Sequence, residues 1–401
     1  KKEVNEAQQH RWRRVIEPMI RYLVLADETH ALISNHLATA VAALLRWHFL
    51  TGDQESEQTA ITQLKKILDH QSEEGWFREY EGADPGYQTL CTYYLADVHL
   101  LRPDLNLLEP LRRSVKFLWH FAHPDGSFGG LYGSRSTRFY YPAGLLALAN
   151  EIPEAASLTE FMGNSIAQFH VVGLSSIDEP NLAPMFNAYS WAAVIAEEND
   201  KSGSSPVFSP ILPCKDLRPI RRHFPHAGLL LDRGPAHYTV INTHKGGVVY
   251  HFRKGFDPII NAGVVVANRK GIYGSSQGYE PCNRLHQDGD NLSIFAPITS
   301  MPKELPGPFQ FLILRTLSMT AFRFGTLREW IKQALVKLLI TRRDYWPIKN
   351  LRTITLGEDL KIKDKTDLAK GFNVIENIQT FVPIHMASQG YWQIQDEEEV
   401  T

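Results

Sequence analysis

Residues 70–95 read HQSEEGWFREYEGADPGYQTLCTYYL. A Gly-aromatic turn, Gly75-Trp76-Phe77, leads through the carboxylates Glu79, Glu81 and Asp84 to Pro85-Gly86. Tyr87 then stands at the mouth of an apolar helix. Turn chemistry, carboxylates and a tyrosine at a helix start read as a site wall rather than a plain connector.

The same layout recurs. The segments SNHLATAVAALLRWHF, GYQTLCTYYLADVHL, RFYYPAGLLALANE and NAYSWAAVIAEE carry His36, Tyr87, Arg138 and Tyr189 at their leading positions, each 51 residues after the one before. Gly75-Trp76-Phe77 and Gly126-Ser127-Phe128 share that offset. A period near 50 suits a hairpin of two helices, so the N-terminal half is expected to be an α/α repeat array of outer helix, Gly-rich turn and inner helix.

The spacing predicts helices over 7–27 (with Pro18 as a kink), 29–50, 55–70, 87–101, 107–122, 138–150, 155–169 and 185–198. Residues 200–213, DKSGSSPVFSPILP, read as a linker, which ends a first domain over 1–199. Beyond it the hydrophobic period becomes two. HAGLLLDRG, HYTVINTH, GGVVYHFRKG, INAGVVVANR and NLSIFAPI, then NLRTITLGED, LKIKDK, FNVIENIQTFVPI and GYWQIQD, predict an antiparallel β-sandwich over 214–401. Residues 309–345 interrupt the strands with a helical pattern that mixes apolar residues with arginine and lysine. Two readings stand: a basic amphipathic helix in contact with a membrane surface or a partner, or a helical insertion packed across the sandwich. The second is preferred, since basic residues also solvate ordinary helices.

At 401 residues the chain exceeds one ordinary core. A net charge of −2 offers no electrostatic footprint for nucleic acid. Cys91, Cys214 and Cys282 are widely spaced and form neither a disulfide framework nor a zinc motif, so no metal or other cofactor is expected. No 20-residue uncharged apolar run occurs. The chain starts at Lys1 without a signal peptide, which leaves periplasmic and cytoplasmic locations equally open.

Helical repeats followed by strands, with Asn35-His36 on one inner helix and Tyr87 on the next, resemble the heparinase II/III-like family and the related alginate lyases. The resemblance implies an (α/α)n toroid followed by an antiparallel β-sandwich, with a polyanionic uronate polysaccharide or oligosaccharide as substrate. It implies that Asn35 and His36 neutralise the uronate carboxylate, that Tyr87 works at the sugar ring, and that a sandwich histidine assists. His244, in INTHKGGVVYHF, is the candidate for that histidine, although Thr243 stands where the family has glycine and no second histidine follows at its spacing. Four hairpins are visible, fewer than the family commonly shows, so an N-terminal part of the toroid is expected to be missing.

β-Elimination removes the C5 proton beside a carboxylate, so donors or cations at that carboxylate lower the barrier. Asn35 and His36 can donate, Arg138 can clamp in bidentate fashion, and Tyr87 can serve as both base and acid. Trp76, Tyr141 and Tyr189 are candidate sugar-binding aromatics. Each residue also has a plainer role as packing, helix-entry or ion-pair residue. A uronyl C5-epimerase shares the proton abstraction. A hydrolase would need two carboxylates, and Glu79, Glu81, Asp84 and Asp125 supply no marked pair. A non-catalytic glycan-binding or assembly protein is the alternative outside enzymes.

Overall fold

The computed structural model describes residues 5–25, 32–202, 209–301, 307–320 and 344–375. The described residues form helices first and antiparallel sheets after. They cluster into two compact units. One comprises Lys1–Ala122, Phe139–Val171 and Pro184–Leu212; the other comprises His123–Arg138, Val172–Ala183 and Pro213–Thr401.

In the first unit, α1 (Glu6–Leu25) runs through Pro18 and packs on α2 (Ser34–Thr51) and α3 (Gln54–Asp69). Next come α4 (Pro85–Leu101), α5 (Leu108–Leu118), α6 (Pro142–Ala147), α7 (Pro153–Ala167) and α8 (Glu179–Ser202). Helices α2, α4 and α6 adjoin in sequence as one row, while α3, α5 and α7 each pack on the preceding member of that row. Ala38, Val41, Leu44 and Leu45 of α2 and Leu90, Cys91, Leu95 and Ala96 of α4 are buried, as expected for helices apolar on most sides. Gly144 of α6 permits a close crossing, because a Cβ there would lie 2.4 Å from the Cα of Tyr93 on α4.

The 51-residue period is visible in hydrogen bonds. Ser72 N–H donates to Trp76 O and Gly75 N–H to Ser72 O, both at 2.9 Å. His123 N–H donates to Ser127 O at 2.9 Å and Gly126 N–H to His123 O at 3.0 Å. Gly75 and Gly126 take φ of 99° and 91°, the left-handed region that favours glycine at both turns. Helices α2 and α4 also begin 51 residues apart, at Ser34 and Pro85. Arg46 and Asp97, again 51 apart, join in a two-point ion pair, with Arg46 Nε donating to Asp97 Oδ2 at 2.7 Å. A direct bond between equivalent positions means the two helices lie parallel and level.

The third and fourth repeats break the register. The helix expected from Arg138 begins at Pro142 instead. In a continuous helix the Arg138 carbonyl would bond the N–H of residue 142, which proline lacks, and the residue before a proline is driven extended. Tyr141 is extended accordingly, at φ −98° and ψ 109°. Helix α8 starts at Glu179, so Tyr189 sits ten residues inside it rather than at its mouth. It also continues to Ser202, so the expected linker opens as helix and residues 203–208 fall outside the described set.

The second unit holds a five-stranded sheet in the order β1 (Ile220–Phe224), β2 (Leu229–Arg233), β3 (His237–Asn242), β4 (Val248–Arg253), β5 (Ile259–Asn261). A second sheet contains β6 (Val265–Asn268), β7 (Tyr273–Ser275), β8 (Arg284–Asp288), β9 (Asn291–Ser300), β10 (Tyr345–Thr355), β11 (Lys361–Asp367) and β12 (Phe372–Val374). Its order is β11-β10-β9-β7-β6-β12, with β8 also on β9. Leu230, Ile241 and Val249 from the first sheet share one buried cluster with Leu292, Ile294, Ile354 and Leu356 from the second.

The last boundary falls at Leu212/Pro213, at the end of the expected linker, but 123–138 and 172–183 also belong with the sheets. Lys245 explains the first. Its buried ammonium donates to Leu131 O (2.5 Å), Gly133 O (2.9 Å) and Ser136 Oγ (2.7 Å), and Asn242 Nδ2 donates to Tyr132 O at 2.5 Å. A buried charge persists only when its donors are satisfied, and three acceptors satisfy an ammonium.

Of the helical insertion expected over 309–345, α9 (Pro308–Met319) is described; residues 321–343 lie outside the described set, and Tyr345 already begins β10. Phe309, Leu312, Ile313 and Met319 of α9 are exposed. The strands expected within 376–401 lie outside the described residues. Among the described residues no helix is long and apolar enough to cross a membrane.

Candidate functional site

Two neighbouring helix starts carry the expected pair. His36 is the third residue of α2 and Tyr87 the third of α4. Helices α2 and α4 pack on one another, so the two residues hold the same position on adjoining helices. His36 is exposed and Tyr87 half-buried. The Tyr87 ring meets Phe139 edge to face at 5.1 Å, and its N–H donates to the Asp84 carboxylate that caps α4, at 3.0 Å. Proline at the first position and aspartate before it supply the start signals for α4.

Asn35 departs from its expected role. Its Nδ2 donates to Glu79 Oε2 at 2.7 Å, and its backbone N–H donates to Glu79 Oε1 at 2.9 Å. Ser34 adds two bonds to Arg78 O, from its N–H at 3.0 Å and its hydroxyl at 2.7 Å. Asn35 is 3% and Glu79 1% exposed. The amide expected to meet a substrate carboxylate therefore meets a carboxylate of the protein. Glu79 thereby caps α2, which has no side-chain cap from its own N-terminal residue Ile33.

The expected sugar-binding aromatics are mostly interior. Trp76 is buried, with Nε1 donating to Glu74 Oε2 at 2.9 Å. Tyr141 is fully buried between Tyr93, ring centroids 6.5 Å apart and stacked, and Phe139 at 5.5 Å. Tyr189 is half-buried with an inaccessible hydroxyl, and burial pushes that phenol up to about 12. Tyr93 is likewise pushed to about 12 by burial, with Tyr94 and Asp97 adding to it, and burial raises Tyr140 as well. These phenols stay neutral at ordinary pH, so they serve as packing and as hydrogen-bond donors rather than bases. Buried Cys91 is also held well up by burial and is no nucleophile.

Arg138 and His244 fall in the second unit. Arg138 is half-buried and its charge bears on His123 and Tyr250. His244 is buried, with Nδ1 3.3 Å from the Tyr279 hydroxyl, its ring edge-on to Tyr279 at 5.6 Å and pressed against Gly228. His286 lies on β8. His251 is structural, bonding Thr239 Oγ1 at 2.8 Å and Glu358 O at 3.1 Å.

A third set was not anticipated. His123 is fully buried, bonded to Ser127 Oγ and to the Tyr132 hydroxyl, each at 2.8 Å, and stacked on Phe252 at 4.7 Å. Burial, with a smaller push from Arg138, holds its imidazole down at about 4. The Tyr250 hydroxyl accepts from Leu131 N–H at 3.1 Å. The offset that relates Gly126-Ser127-Phe128 to Gly75-Trp76-Phe77 marks this turn in the sequence, but not the burial of His123. No group of three or more His, Cys, Asp or Glu side chains that could hold a metal occurs among the described residues. Compared with models of known protein families the chain matches none, and a comparison with curated proteins gives no match either.

Proposed function

We propose that the protein is a polysaccharide lyase that cleaves a uronate-containing glycan by β-elimination, on an (α/α)n toroid joined to an antiparallel β-sandwich like that of the heparinase II/III-like and alginate lyases. The observation that carries this reading is the matching placement of His36 and Tyr87 at the third positions of adjoining helices. The two rows of helices support the toroid, and the core shared by the two sheets supports the sandwich.

The positive ends of the α2 and α4 dipoles adjoin, with Glu79 and Asp84 already accepting from the Asn35 and Tyr87 N–H groups. A uronate carboxylate is attracted there, and His36 donates to it, which steadies the charge that develops at C5. The Tyr87 oxygen, as phenolate, takes the C5 proton. The C5 electron pair forms the C4=C5 double bond, the C4–O4 bond breaks, and the phenol returns its proton to O4. Asn35 acts through Glu79 to set the start of α2 and with it the direction of His36.

The test is the ultraviolet absorbance of unsaturated uronate product on alginate, heparan, chondroitin, hyaluronan and bacterial polyuronates. Tyr87→Phe is expected to lower turnover by about 10²–10⁴, the range of a positioned acid–base group, with the melting temperature unchanged. Full activity in that variant would overturn the mechanism. A parent chain without product but with C5 proton exchange in heavy water would be an epimerase. The closed state of Asn35 and the burial of His244 favour one further reading, a glycan-binding protein without turnover, which saturable binding with neither product nor exchange would establish.

A further inference from the structure

Helix α1 is oriented the wrong way for a core helix. Taking Trp12 as reference at about 100° per residue, Ile16 and Met19 fall within about 40° of it and Val15 and Tyr22 within about 80°. All five are exposed, Trp12 at 54% and Met19 at 61%. The opposite side of the helix carries Arg21, which bonds Glu55 Oε2 at 2.8 Å and lies 3.7 Å from Asp53 Oδ2 at the start of α3. Ile20, at the edge of the stripe, is the residue of α1 that is buried. The helix thus docks through its polar side and one edge, and turns its apolar face outward. Phe49 and Leu50 at the end of α2 are exposed as well, and a groove of about 400 Å³ between the two helices is lined by Trp12, Ile16, Trp47 and Leu50 together with Arg13 and Arg46.

An apolar surface of this extent on one helix pair marks an interaction site. Charge selects the occupant. Arg11 and Arg13 flank the stripe at about 100° on either side, where a helix lying in a lipid interface presents its cations to anionic headgroups. The helix carries four arginines against Glu6 and Glu17. An isologous pairing of two copies with these helices parallel would bring those arginines together, which disfavours that pairing. We infer that α1 is a peripheral membrane-docking helix that lies in the headgroup region of an anionic bilayer, with Trp12, Val15, Ile16, Met19 and Tyr22 facing the acyl chains. Over 20 residues the helix is about 30 Å long, which allows it to lie flat along the surface. This inference does not depend on the lyase reading.

The experiment is co-flotation of the full chain with vesicles of phosphatidylglycerol and phosphatidylcholine, against vesicles of phosphatidylcholine alone, with light scattering in parallel. Binding is expected to the anionic vesicles, to weaken at high salt, and to fall at least tenfold in the Trp12→Glu/Met19→Glu variant. Both substituted positions are solvent-facing, so circular dichroism and melting should be unchanged. Arg11→Gln/Arg13→Gln should retain residual binding but lose the preference for anionic lipid. The inference is overturned if the parent ignores anionic vesicles, or if Trp12→Glu/Met19→Glu binds them as the parent does. A concentration-dependent dimer abolished by that variant, without vesicle binding, would assign the face to a second copy and likewise overturn it.

Discussion

The pair α2–α4 and the pair α4–α6 belong to the same row of helices but are joined by different means. The first is joined by Arg46 and Asp97 at matching positions along the helices, and by Asn35 bonded to Glu79 of the preceding turn at their entry. The second has lost that register to Pro142 and is held by close backbone approach at Gly144 and by Tyr141 N–H donating to Thr89 Oγ1 at 3.0 Å. The turns differ in parallel. The first is followed by a buried carboxylate at Glu79, while the second contains a buried neutral histidine at His123. A shared chain period therefore sets backbone geometry twice, while side-chain chemistry decides whether the following helix stays in step. Keeping step is what gives Tyr87 the same helix position as His36 and leaves Arg138 four residues ahead of its helix.

The largest expected effect tests the entry of the first pair. Glu79→Ala strands the Asn35 N–H and Nδ2 groups without their acceptor, and the chain should lose about 3 kcal/mol in urea unfolding. A loss under about 1 kcal/mol would break the view that Glu79 sets the start of α2.

The second effect concerns the turn of the second repeat and acts through pH. The folded value of His123, about 4, lies below the ordinary value of 6.5, so the unfolded chain binds the extra proton between those values. Stability from this group is complete above pH 6.5 and declines as pH falls towards 4, by about 3 kcal/mol in total. His251 is also held low by burial and adds to the same acid slope. Urea midpoints from pH 7.5 to 4 should show that slope, and His123→Gln should flatten it, whereas Ser72→Ala, at the equivalent place in the first turn, should not.

Gly144→Ala is expected to cost about 1–3 kcal/mol, as overpacking does, because the new methyl meets the Tyr93 backbone. The smallest effect sharpens the contrast. A double-mutant cycle of Arg46→Met and Asp97→Asn should give a coupling of about 0.2–1 kcal/mol, since the guanidinium is largely solvated. That ion pair reports register more than it stabilises. A coupling near zero would still fit the geometry, but a turnover loss in the Arg46→Met variant without a stability loss would show that level helices matter to the Tyr87 site.

Much of this molecule was legible as pattern. Helix α4 follows from Asp84-Pro85-Gly86 and an apolar run, and β2, β3, β4, β6 and β9 follow from apolar segments bounded by glycine and aspartate, whereas β1, β7 and β8 fall outside the expected strands. The candidate site was legible only in its two helix-start residues, His36 and Tyr87. Trp76, Tyr141 and Tyr189 could not be sorted from core aromatics, because a tyrosine or tryptophan suits a sugar face and a packed interior equally well.

By itself the sequence determined the order of helices then strands, the 51-residue turn geometry and the place where Pro142 stops the register, since all three rest on backbone preferences of nearby residues. Only the tertiary structure decided that Asn35 answers Glu79, that Lys245 draws the loop 131–136 to the sheets, that His123 is buried neutral and that α1 shows its apolar face to solvent. The reason is physical. A hydrogen-bond donor or an apolar stripe is fixed by its residue type, but which acceptor or surface it meets depends on what long-range packing brings beside it.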